Sequence, residues 1–228
     1  LAPDPSGDGL VLFGGTGNDL RPCADTWRWR GEGWALATPV HAPAARFGHA
    51  LAFDRARGEA VLFGGVDGPG SNAETWLWDG GDWRRAEVER APCARALHVL
   101  AYDEISQRVV LFGGLDRDGR ALGDTWEWGG RDWRELAPPR SPERRYSAAM
   151  TFDSRAGALV LHGGATGNTD LRGDVWALRG EDWRPTRTAI APRSAHAMAA
   201  LPDEGAVLIH GGATEDGVDG ATIRLVAG

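Results

Sequence analysis

An all-β chain made of repeated four-stranded antiparallel units is expected here, on three grounds. An aliphatic stretch ending in two glycines occurs five times, as "GLVLFGG", "GEAVLFGG", "RVVLFGG", "ALVLHGG" and "AVLIHGG". The first glycines of these pairs, Gly14, Gly64, Gly113, Gly163 and Gly211, lie 50, 49, 50 and 48 residues apart, and a fixed period of that size marks an array. All eleven tryptophans fall in four matching segments, "DTWRWRGEGW", "ETWLWDGGDW", "DTWEWGGRDW" and "DVWALRGEDW". Between units run "ARFGHALAFD", "ARALHVLAYD", "RRYSAAMTFD" and the looser "RSAHAMAALPD".

The second unit shows how four strands arise. Residues 46–54 alternate in polarity and end in Asp, and residues 59–65 form a continuous apolar run. "ETWLWDG" and "DWRRAEV" then make two short strands split by a Gly-rich turn. Four strands per unit make one blade of a β-propeller. The units run approximately 1–44, 45–93, 94–143, 144–192 and 193–228, fused into a single domain. Residues 1–15 align without a gap on residues 51–65, so Leu1–Asp4 read as the second half of a first strand. "ATIRLVAG", residues 221–228, takes the third-strand slot of the last unit, with Ile223 where Trp176 stands one unit earlier. The expectation is five blades with a frayed seam, the first and last being incomplete in sequence; a portion of a six- or seven-bladed ring is the alternative.

The aliphatic Gly-Gly strand, the Trp strand about ten residues later, the second Trp and the Arg-x-x-His before the next unit resemble the kelch repeat, which has a period of about 50 residues. "DTWxWxGxxW" with "PxxRxxHAxxxD" is similar to kelch-type propellers of bacterial proteins. The resemblance spans nearly the whole chain. It implies a fold, while functions within that family are diverse.

Composition narrows the partners. A formal charge of −7 and a pI near 5.4 argue against sequence-independent nucleic-acid binding, which needs a basic stripe to displace counterions. No segment has the length or hydropathy of a membrane helix, and no charged-then-apolar leader opens the chain. The chain as given reads as soluble and not inserted in a membrane, with its compartment open, secreted or cell-surface among the choices. Lysine is absent, so every basic residue is Arg, which with abundant Ala and Gly points to a GC-rich bacterial genome. Cys23 and Cys93 sit at different points of their repeats in no metal-like spacing, and are expected to be free thiols.

Loop length supplies a functional clue. In an up-and-down blade, the first-to-second and third-to-fourth turns share one end of the propeller; here they are short, "RARG" and "DGG" in the second unit. The second-to-third and interblade connections share the other end and are long and varied: "VDGPGSNA", "TGNDLRPCA", "LDRDGRALG", "ATGNTDLRG" and "ATEDGVDG". Rigid strands presenting varied loops on one face is how scaffolds carry binding sites, so recognition is placed there.

Several residues have side chains that could carry chemistry. Arg46, Arg95, Arg145 and Arg193 open the inner strands at the long-loop end, with Arg144 and Tyr146 beside them. They either form a positive funnel for an acidic or carboxylated ligand or tie blades together through carbonyls and acidic neighbours. These six are the candidate binding residues. His49, His98 and His196 share one slot, but strand parity turns it toward a neighbouring blade, and Ala148 fills it in the fourth unit. Buried imidazoles bonded to nearby backbone are expected. Asp4, Asp54, Asp103 and Asp153 are expected to shape hairpin turns, and Asp25, Glu74, Asp124 and Asp174 to accept bonds before the Trp strand. The tryptophans are expected to pack between blades, with a sugar platform as the less favoured reading. Loop Asp and Asn residues match no complete calcium motif.

Two functional classes follow. The first is a non-catalytic binding module that engages a protein segment or a glycan through the long-loop face, with no cofactor. The second rests on the kelch resemblance: galactose oxidase holds copper through Tyr and His with a Cys-linked Tyr, and plant specifier proteins hold iron. No residue set here matches either, so no catalytic or metal-binding residue carries over, although Tyr146, His98 and His196 would be where a metal was sought. A structural segment of a larger surface protein is the remaining alternative.

Overall fold

The computed structural model describes residues 1–226 apart from Asp8, Pro69, Asn168 and Thr169. It is all-β, with one short 3₁₀ turn at Pro202–Glu204 as its only helical element among the described residues. Five antiparallel blades are arranged as a propeller. The first contains Ala2–Pro3, Leu10–Phe13, Thr26–Trp29 and Trp34–Ala37; the second, Ala50–Asp54, Glu59–Phe63, Thr75–Trp78 and Trp83–Arg85. The third contains Val99–Asp103, Arg108–Leu115, Ala121–Trp128 and Trp133–Leu136; the fourth, Ala149–Asp153, Ala158–His162, Asp174–Arg179 and Asp182–Ala189. The fifth has three strands, Ala197–Leu201, Ala206–His210 and Thr222–Val226. Two long loops fold into small hairpins of their own, Val66–Asp67 with Gly70–Ser71 and Ala213–Thr214 with Gly217–Val218.

The core lies between blades because alternate residues of each strand face opposite neighbours. In the second blade, Ala60 and Leu62 join Val11, Phe13 and Trp83 against the first blade. Val61 and Phe63 join Leu111 and Trp133 against the third. Fourth-strand tryptophans span the first three junctions: Trp83, Trp133 and Trp183 are buried and donate their indole N–H to Thr26, Thr75 and Thr125 of the preceding blade, at 2.9, 2.9 and 3.0 Å. Their rings meet Phe13, Phe63 and Phe112 edge-on, with centroids 5.2 to 5.5 Å apart. These three tryptophans therefore serve as interblade packing.

Three of the four aspartates behave as expected of turn formers, while Asp54 accepts from the Arg57 guanidinium at 2.8 Å. Asp4, Asp103 and Asp153 accept backbone N–H bonds from residues two positions on, at 2.9 to 3.1 Å. Cys23 and Cys93 are free. No helix among the described residues is long and apolar enough to cross a membrane.

Candidate binding site

The arginines that open the inner strands lie inside the protein. Arg46, Arg95, Arg145 and Arg193 are 0 to 2% exposed. Each guanidinium bonds the carbonyl of the first glycine of its own blade (Gly64, Gly113, Gly163 and Gly211) at 3.0 to 3.1 Å. Each also meets a carboxylate: Glu74 at 2.8 Å, Asp124 in a two-pronged pair at 2.7 Å, Asp174 in another at 2.6 and 2.9 Å, and Asp219 at 3.2 Å. Burial alone would raise the carboxyls of Glu74, Asp124 and Asp174, but their arginine partners outweigh it and hold them below the ordinary carboxylate range.

The main chain of the same arginines ties each blade to the one before. Arg46, Arg95, Arg145 and Arg193 donate to the carbonyls of Cys23, Asn72, Leu122 and Arg172, and accept from the N–H of Gly15, Gly65, Gly114 and Gly164, all within 2.8 to 3.2 Å. Of the two readings of these arginines, the tie between blades is the one that this geometry matches: their donors are turned into the fold, where they act as latches. Arg144 is exposed and Tyr146 is half-buried, with its hydroxyl donating to Gly167 O at 3.2 Å, so these two remain at the surface of the long-loop end.

Above the latches runs a feature that sequence reasoning missed. Gly48, Leu97, Ser147 and Ala195 occupy one slot, two residues after each arginine, and all have positive φ, at 65°, 57°, 52° and 54°. Leu97 N–H donates to Gly48 O, Ser147 N–H to Leu97 O and Ala195 N–H to Ser147 O, at 2.7 to 2.9 Å. An arc of main-chain bonds therefore joins four blades around the mouth of the channel. A left-handed backbone at non-glycine residues persists only where its surroundings dictate it, and the bond to the neighbouring blade does so here. Only Gly48 hints at this in the sequence, since the other three residue types have no preference for that conformation.

The histidine slot is structural, with one correction. His49 and His98 stack edge-on against Phe13 and Phe63 of the preceding blade, at 5.6 and 5.5 Å. Both ring nitrogens of His98 are buried, and the Phe63 main chain is the backbone group that faces its ring. His196 instead pairs with His162, Nε2 to Nδ1 at 3.1 Å. His162 stands where Phe63 and Phe112 stand in earlier units, a departure visible in "ALVLHGG". Burial, aided by nearby arginines, lowers His49 and His162 to about 4, and His98 and His196 to about 3. They are neutral at pH 7.

A cavity of about 550 Å³ occupies the channel toward the short-turn end, and all five inner strands contribute to it. Leu51, Phe53, Leu100, Met150 and Phe152 make it largely apolar, and Tyr102, Thr151 and Ser154 add hydroxyls. Burial, with Asp54 nearby, pushes the Tyr102 hydroxyl up. At its rim Arg55 pairs with Glu104 at 3.2 Å. The long-loop reading did not foresee this cavity, because the residues that line it repeat only as generic strand residues.

Among the described residues, no three His, Cys, Asp or Glu side chains gather in a way that could hold a metal ion. The thiol of Cys93 is engaged by Arg95, at 3.2 Å. No family model matches the chain, and no curated protein matches it in sequence. The solved structure of YjhT is similar in fold, with a TM-score of 0.75 at 17% identity over 96% of this chain and 78% of that one. At that identity the likeness establishes the β-propeller fold, as the blades themselves do.

Proposed function

We propose that this chain is a kelch-type propeller of bacterial origin that serves as a non-catalytic binding module, recognising a protein segment or a glycan through its long-loop face. One observation carries the reading: loops of unlike sequence and conformation are mounted on a frame whose latches and mouth arc repeat from blade to blade. The frame is stiff and uniform while the loops differ, the division of labour expected of a recognition surface. Arg144 and Tyr146 contribute directly to that surface. Arg46, Arg95, Arg145 and Arg193 act beneath it as positioning residues.

The apolar channel cavity favours a second reading, in which an apolar group enters from the short-turn face. A capture experiment separates the two. The protein is screened against glycan and peptide libraries, and each hit is tested with Arg144→Ala/Tyr146→Ala and with Phe53→Ala/Phe152→Ala. At least tenfold weaker binding in the first double variant, with an unchanged melting temperature, supports the long-loop face. Loss confined to the second refutes it in favour of the channel.

A further inference from the structure

All four packed junctions repeat the main-chain arginine bonds and the first three repeat the Trp–Thr and Trp–Phe contacts, and both free faces of the array lack them. On the first blade, Leu12, Trp29 and Trp34 share a face with Leu36, as their cross-strand pairing shows. Their counterparts in the second blade, Leu62, Trp78 and Trp83, are at most 1% exposed, whereas Trp34 is 43% and Leu36 55% exposed. On the fifth blade, Ala199, Leu208 and Arg224 lie opposite one another on a face whose Ala199 and Arg224 are exposed. The inner strands pack in series from the first blade to the fifth, and among the described residues no comparable packing joins the fifth to the first.

The polar groups tell the same story. Among the described residues, Gly212 N–H and Asp219 C=O have no main-chain arginine partner, although their four sets of counterparts all do. At the mouth, Gly48 N–H and Ala195 C=O are the unpaired ends of the arc. A Cβ at Gly211 would meet nothing closer than 3.5 Å, whereas at Gly64, Gly113 and Gly163 it would strike the next arginine's carbonyl at 2.4 to 2.6 Å. The indole of Trp34 has no threonine, and Thr222, in the slot of Thr26, Thr75 and Thr125, has no indole; its hydroxyl meets His210 at 2.8 Å.

We infer that the two faces bracket one vacant blade place, whose occupant is a sixth unit of the same repeat, carried on polypeptide outside residues 1–228. Its opening arginine would supply the main-chain bonds to Gly212 and Asp219. A fourth-strand Trp would donate to Thr222, and a third-strand Thr would accept from Trp34. Simple closure of five blades is disfavoured, because three of the four junction angles are set by a packed Trp–Phe contact and would have to change together. A second copy of the chain is too bulky for a slot one sheet wide. Completing the fifth blade and adding one unit takes a stretch the length of residues 81–143.

The first test reads the gap in the chain itself. In a Cys23→Ser, Cys93→Ser background, spin labels are attached at Leu36→Cys and Arg224→Cys, one on each face. Facing sheets pack about 10 Å apart, so a vacant blade place puts the labels on the order of 20 Å apart. A separation near 10 Å means that five blades close, and overturns the inference. The second test appends a copy of residues 81–143 after Val226. The expected result is a melting temperature higher by about 10 °C and loss of binding of a hydrophobic dye, with the gain cancelled by Trp34→Ala. An unchanged melting temperature and dye signal overturns the inference. So does a concentration-dependent dimer of the unextended chain that no longer binds dye, which would make the occupant a second copy.

Discussion

Replacing Arg95 by Ala tests whether the arginines are latches or ligand contacts. Arg95 is fully buried and holds Asp124 through two bonds of 2.7 Å, Gly113 O at 3.0 Å and Cys93 O at 3.1 Å. Removing one partner of a buried pair strands the other, at a cost of about 3–5 kcal/mol. Part of that cost is the buried Gly113 carbonyl, left unpaired at about 1–3 kcal/mol. For a chain of this size each kcal/mol lowers Tm by about 2–4 °C, so Arg95→Ala should melt about 6–20 °C lower. Arg95→Lys keeps a charge but not the two-pronged geometry, and should fall between the variant and the parent. Arg144→Ala, at the surface, should stay within about 0.5 kcal/mol of the parent. Urea titration followed by tryptophan fluorescence, beside thermal melts by circular dichroism, gives these values. A cost below 1 kcal/mol for Arg95→Ala, or lost ligand capture with unaltered melting, would refute the latch and restore the funnel.

Three further outcomes follow from the same structure. Thr125→Val keeps the shape but strands the buried indole N–H of Trp183, so it should cost about 1–3 kcal/mol; Val175→Thr places an unpartnered hydroxyl in the equivalent slot and should also destabilise, and a stabilising effect would be contrary evidence. Gly113→Ala and Gly211→Ala share positive φ, at 67° and 70°, which costs each about 1–2 kcal/mol, but only at Gly113 does the new Cβ meet a carbonyl, at 2.4 Å. Gly113→Ala should therefore be clearly the worse of the two in a denaturation series, and equal costs would contradict the open end at Gly211. Acid should weaken the fold before its carboxylates titrate. The folded-state pKa values of His49, His98, His162 and His196 lie at about 3 to 4, below the ordinary value near 6.5, so protons bind preferentially to the unfolded chain. Their stabilisation is complete above about pH 6.5 and is lost as pH falls toward 4; one such histidine loses about 2–3 kcal/mol by pH 4.5. Glu74, Asp124 and Asp174 add their loss only below about pH 4. Melting temperatures between pH 7 and 4.5 should fall for the parent and less steeply for His98→Leu; a flat profile would contradict buried neutral imidazoles.

Much of the fold was legible because it rests on local rules applied five times. Period-two alternation set the faces of residues 46–54, the glycine pairs marked where second strands exit, and the tryptophans of "DTWxWxGxxW" announced interblade packing. The latch arginines were visible as a repeated residue, but their direction was not. A guanidinium at a strand start faces solvent or core depending on where Gly113 O and Asp124 stand, and those lie 18 and 29 residues away in sequence.

The sequence by itself determined the blade, its strand order, the long and short ends and the interblade role of the tryptophans, because each follows from spacing within about 50 residues. Tertiary structure alone decided that the arginines point inward, that Leu97, Ser147 and Ala195 bend into a left-handed arc, that His162 meets His196, and that a cavity fills the channel. It also exposed the unmatched faces of the first and fifth blades. These depend on the angle between neighbouring sheets, which at the first three junctions is set by how Trp and Phe rings interlock and is written in no single repeat.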